Sequence, residues 1–286
     1  MDVAVFIRKE SYMSVRVNQR HLSDIEYEKS FTKLNDYLAN KLKHAPKRHY
    51  HYLVEPFNRI LNKVYKNIMT ITNLHLNKKS KSIERYRLCK STLELFESII
   101  VFSYFYWNIS SHKNEIKRVA LRKRNYWAGL INREICLLIG VMKNCNGYKE
   151  NEGCDLIMRA YSIPEIRKAK FLSKLYDLQG IIYSRAIRVS KNYQDAQMEM
   201  LIELTREAFY YAKQANDVMV KDEKTEQKRA KCFSKAIDRV MSMNRPIGEL
   251  AVANIFSEKE LESICNLVTD CQNILCTIKN KESKKQ

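Results

Sequence analysis

The sequence predicts an all-α protein made of two tandem antiparallel four-helix bundles. Three observations carry that expectation. Apolar residues account for 45% of the 286 positions, yet there are only six Gly and four Pro, too little punctuation for a sheet protein. Apolar side chains recur at steps of three and four over segments of helical length, on both sides of one glycine-containing break. The length exceeds one typical domain and suits two modest ones, each large enough to bury a core.

The expected order is an N-terminal arm (1–22), a basic four-helix bundle (23–145), a linker (146–162), a second four-helix bundle (163–280) and a disordered tail (281–286). Asp24 is a plausible N-cap. Tyr27, Phe31, Leu34 and Leu38 then mark a first helix to about residue 42, and the loop KHAPKRHYHY breaks it at Pro46. The second helix carries Leu53, Phe57, Ile60, Leu61, Val64, Ile68 and Ile71 inward, with Arg59, Lys63 and Lys66 outside. Pro56 lies inside that pattern, so the helix either begins there or is kinked. After NKKSKS, Ser82 can cap a third helix with Leu88, Leu95, Phe96, Ile99, Phe102 and Tyr106 on its apolar side, and Arg85, Arg87 and Lys90 in its first half.

The fourth helix, 113–143, is both the most basic helix-length stretch and one of the most apolar. At 100° per residue, Arg118, Arg122, Asn125, Gly129, Arg133, Cys136, Gly140 and Lys143 form one polar strip. Val119, Tyr126, Trp127, Leu130, Leu137, Leu138 and Val141 occupy the opposite arc. Four such helices with short connectors imply an up-down bundle about 40 Å long.

Two of the six glycines fall at 144–160, where the periodicity breaks and the domain boundary is expected. The plan then repeats. Leu172, Leu175, Ile182, Ala186 and Val189 mark one helix, and Met198, Leu201, Ile202, Phe209 and Ala212 the next. Cys232, Phe233, Ile237 and Val240 mark a third, and Leu261, Ile264, Val268, Cys271, Leu275 and Ile278 a fourth. Asn73 and Cys89 match Asn216 and Cys232 at a constant offset. The two fourth helices differ in charge: Lys117, Arg118, Arg122, Lys123 and Arg124 open the first, whereas Glu258, Lys259, Glu260 and Glu262 open the second.

The net charge of +19 is unevenly distributed. Residues 1–145 hold 27 Lys and Arg against 12 Asp and Glu, leaving 24 against 20 for the rest. The first half is therefore the part suited to a polyanion. Eight cysteines show no CxxC spacing, and all six histidines lie at or before His112, so metal-ligand spacing is absent and reduced thiols are expected. No signal-peptide pattern opens the chain, and apolar runs such as 101–107 are far too short to span a membrane. The expectation is a cytoplasmic protein without membrane contact. No phosphate-cradling glycine loop, HExxH pair or nucleophile elbow is present, so neither enzymatic activity nor a cofactor is expected.

The candidate nucleic-acid-binding residues are Lys47, Arg48, Arg85, Arg87, Lys117, Arg118, Arg122, Lys123, Arg124 and Arg133. Cations on a preformed rod neutralise phosphates and release counterions on binding. In the first loop, His44, His49, His51, Tyr50 and Tyr52 lie beside Lys47 and Arg48, placed to stack on unpaired bases. Aromatic side chains near a helix start also commonly pack as core.

The order of these helices, with Ala45, Pro46, Lys47 and Arg48 in the first loop, Leu93, Glu94, Leu95 and Phe96 in the third helix, and EICLLIGVM at 134–142, resembles a family of four-helix bundle proteins. The family comprises the accessory variability proteins of diversity-generating retroelements and the proteins encoded in ribosomal RNA intervening sequences. The resemblance covers about 24–144 and, more faintly, 165–280. It implies a non-enzymatic partner of a reverse transcriptase that binds both the enzyme and structured template RNA and assembles into a ring-like homo-oligomer. The alternative, from a different class, is a structural adaptor whose positive charge steers an acidic protein partner.

Overall fold

A computed structural model of the chain describes residues 20–76, 82–111, 121–161, 169–189 and 196–283, which are mostly helical with no strand among them. The α-helices are α1 (Arg20–Lys43), α2 (Glu55–Leu76), α3 (Ser82–Ser111), α4 (Leu121–Lys143), α5 (Cys154–Tyr161), α6 (Lys170–Ala186), α7 (Ala196–Asp217), α8 (Glu223–Ser242), α9 (Asn244–Val252) and α10 (Glu258–Ser283). The fold is all-α.

The helix neighbours form two four-membered rings. α1 packs on α2, α2 on α3, α3 on α4 and α4 back on α1, while α6, α7, α8 and α10 close a second ring in the same way. The two rings share one continuous core running from Tyr27 to Leu275. α3 is the shared wall, packing on α2 and α4 of its own ring and on α5, α6 and α7. Its second half explains why: Phe102, Ser103, Tyr104, Phe105, Tyr106, Trp107, Asn108 and Ile109 are all buried. A helix that is apolar on every side has to be enclosed on every side.

Local chemistry sets several boundaries. α1 begins at Arg20, so Asp24 lies inside the helix rather than at its cap. Pro56 is the second residue of α2. α8 opens with a capping box in which Asp222 Oδ1 accepts from the Thr225 amide at 2.8 Å and the Thr225 hydroxyl accepts from the Asp222 amide at 3.1 Å. The acidic opening of α10 has the same local use, since the Glu260 carboxylate accepts from the Ser257 amide at 3.0 Å. α10 also continues to Ser283, past the helix end expected at 280.

The expected linker contains a helix. In α5, Leu156 and Ala160 are buried against the core, and the turn leading into it depends on Gly153, which has φ +81°. A Cβ there would lie 2.9 Å from Leu93 Cδ1, and glycine adopts that φ without the strain another side chain would bring. Another helix the periodicity did not separate, α9, packs on α7 and α8 with Ile247 and Leu250 buried.

Candidate nucleic-acid interface

An antiparallel ring places the start of α4 and the α1–α2 loop at the same end. Contacts tie the start of α4 to α1 near that end. The Tyr37 hydroxyl of α1 donates to the Lys123 carbonyl at 3.3 Å, and the Tyr37 and Tyr126 rings meet edge to face at 5.1 Å. Tyr37 is about 9 Å along α1 from its last residue, Lys43, at 1.5 Å per residue. Lys43, Lys47, Arg48, Arg122 and Lys123 are exposed. Among the described residues, Lys47, Arg122 and Lys123 have no carboxylate partner. Arg124 is half-buried, its guanidinium 5.8 Å from the Trp107 ring centre, so it braces α4 against α3.

The remaining candidates lie elsewhere. Arg85 and Arg87 sit at the start of α3, at the opposite end of the ring, about 30 Å away by helix length. Arg85 is engaged within the fold: its Nε donates to Cys145 Sγ at 3.2 Å and its terminal nitrogen contacts His75 Nδ1. Arg87 is exposed. Arg133, midway along α4, pairs with Glu26 at 2.5 Å. Lys117 and Arg118 lie outside the described residues. The eight described candidates therefore form no single patch. Lys47, Arg48, Arg122 and Lys123 gather at one end, and Lys43 joins them as a residue the sequence did not single out.

The polar strip of α4 is where the periodicity placed it. Arg122, Asn125, Gly129, Arg133, Cys136, Gly140 and Lys143 are all exposed, and a Cβ at Gly129 or Gly140 would meet nothing within 4 Å. On the opposite arc Trp127, Leu130, Leu138 and Val141 are buried, but Tyr126 remains exposed beside Tyr37.

The expected aromatic stack is corrected. His49 is 0% exposed and Tyr52 5%; both belong to the core and neither can meet a base. The reason is a short π-helical turn, Tyr50–Val54, following a 3-10 turn at Lys47–His49. Together they turn His49, Tyr52, Leu53 and Val54 inward and leave Lys47, Arg48 and Tyr50 outside. His51 is fixed by contacts with Glu55 of α2 and Glu199 of α7. Beside this loop opens a cleft of about 890 Å³, walled by the end of α1, the loop, the first turn of α2, and Ala186, Ile187 and Val189 from the end of α6.

A second concavity, about 270 Å³, brings Glu94, Glu97, Glu203 and Glu207 around Arg206. Arg206 lies 4.2 Å from the Phe102 ring centre, and burial lowers its pKa to about 10. That acidic rim repels a polyanion. Among the described residues no group of three or more His, Cys, Asp or Glu side chains could hold a metal ion. Nor is any described helix long and apolar enough to cross a membrane.

Many cations of the second ring are used internally. Arg185 donates to the Ile255 carbonyl at 2.7 Å, Lys174 pairs with Asp270 at 2.7 Å, and Lys235 covers the Tyr211 ring at 4.9 Å. Comparison with family models, with curated proteins and with solved structures found no match for this chain.

Proposed function

We propose that the chain is a non-enzymatic RNA-binding accessory protein, and that the end of the first ring bearing Lys43, Lys47, Arg48, Arg122 and Lys123 holds the RNA backbone. The observation that carries this reading is the gathering of exposed cations at one end, while many basic residues of the second ring are spent on internal partners. These contacts are phosphate contacts, which position a strand without reading its sequence. The reverse transcriptase as protein partner comes from the sequence resemblance. Assembly into a homo-oligomer would use the second half of the α4 strip, where Gly129 and Gly140 leave room for another helix to approach closely.

The test is binding of a structured RNA across a salt series. Replacing Lys47, Arg122 and Lys123 by Glu removes three cations from exposed positions. The expected result is loss of RNA retention at moderate salt with helicity unchanged. The slope of log affinity against log salt should fall by about two, at roughly 0.7 per phosphate contact for a single strand. RNA binding that survives with an unaltered slope would reduce the cluster to a solvated surface and favour the adaptor reading.

A further inference from the structure

We propose that the cleft between the Pro46 loop and the end of α6 is a nucleotide pocket. It takes one nucleoside monophosphate unit, with the phosphate on Lys47 and Arg48 and the base against the apolar floor. The proposal rests on the RNA reading for its source of nucleotide, an unpaired position of the bound strand.

The composition of the cleft argues for such a ligand. Its rim is cationic and exposed, with Lys43, Lys47 and Arg48, whereas its floor is apolar and buried, with Leu42, Val54 and Ala186. A surface that only tracks phosphates has no use for an apolar floor. A fatty acyl anion would use the floor but not the Asn58 amide, which lines the wall. That amide offers both a donor and an acceptor to the edge of a base, while the Glu55 carboxylate beside it is held by Arg59 at 2.6 Å. Tyr50, 55% exposed at the rim, supplies a ring on which a base can stack. The volume of about 890 Å³ falls within the range of small-molecule sites.

The pocket is also built rather than incidental. His49 Nδ1 lies 2.7 Å from the Tyr183 hydroxyl, which fastens the loop to α6. The π-helical turn then sets which side chains face the cleft and which face the core. One wall comes from each ring, so the site requires both.

The experiment compares the full chain's affinity for a short single-stranded oligoribonucleotide and for an abasic strand of equal length, with GMP as a free-nucleotide probe. The cleft-blocking variant is Ala39→Trp, at an exposed position of α1 that lines the cleft and leaves every cation in place. The expected result is about tenfold tighter binding of the strand that carries bases, the increment of one stacked base. That preference should disappear in Ala39→Trp while affinity for the abasic strand is unchanged. Equal binding of the two strands, or a preference that persists in Ala39→Trp, would overturn the pocket and leave the RNA reading standing. If neither strand binds, the RNA reading fails. In that case saturable GMP binding lost in Ala39→Trp would assign the pocket to a free nucleotide, and its absence would overturn the pocket as well.

Discussion

His49 Nδ1 and the Tyr183 hydroxyl lie 2.7 Å apart, with the two rings stacked at 5.6 Å and 21°. The contact joins the first loop of one ring to the last turn of α6 in the other. Burial raises the Tyr183 pKa above the ordinary phenol value, so the hydroxyl keeps its proton at neutral pH. Tyr183→Phe should cost about 1–3 kcal/mol, since it leaves a buried imidazole nitrogen without its partner. Urea denaturation checks this as a lower midpoint with an unchanged slope.

Glu134 of α4 is fully buried. Burial pushes its carboxyl up to about 8, against the smaller opposing influence of the Ser30 hydroxyl and the Arg133 charge. The folded state therefore holds this proton more tightly than the unfolded chain, whose glutamates titrate near 4.3. The stability is fully present below the unfolded pKa and is lost as pH rises through about 8. Glu134→Gln should match the wild type in acid and exceed it by on the order of 5 kcal/mol above the folded pKa. Denaturation midpoints across a pH series give the readout, and parallel curves for the two proteins would refute it.

The eight cysteines are free thiols in unequal settings. Cys136 and Cys265 are exposed, while Cys89, Cys145, Cys232 and Cys271 are buried. Burial pushes Cys89 and Cys271 up to about 12, so neither presents a thiolate near neutral pH. A thiol reagent followed by mass mapping should label Cys136 and Cys265 in the native protein, and Cys89 and Cys271 only after denaturation. Early labelling of Cys89 would mean that α3 opens far more readily than its packing indicates.

Much of the fold was legible because it depends on helical period. The strip from Arg122 to Lys143 emerged from spacing alone, and each of its described members is exposed. Short elements were hidden by their own composition: Gly147 and Gly153 lie just before α5, and α9 carries Pro246 and Gly248 near its start, where they read as a break. The π-helical turn has no period to recognise, so His49 and Tyr52 looked like stacking residues when they are core. Arg85 and Arg87 illustrate a different limit. Charge counts place them with Arg122 and Lys123, but alternation of helix direction sends the start of α3 to the far end. The cleft wall contributed by Ala186 and Ile187 had no signal in local sequence, because it depends on how one ring meets the other.

The shared position of α3 has a consequence for how the molecule comes apart. A helix whose aromatic run from Phe102 to Trp107 is enclosed by both rings leaves neither ring with a complete solvent boundary of its own. Severing the chain after α4 would not release a self-sufficient half; it would strip one side from Tyr104 and Phe105. Two units that read as separate in the sequence should therefore melt in a single transition.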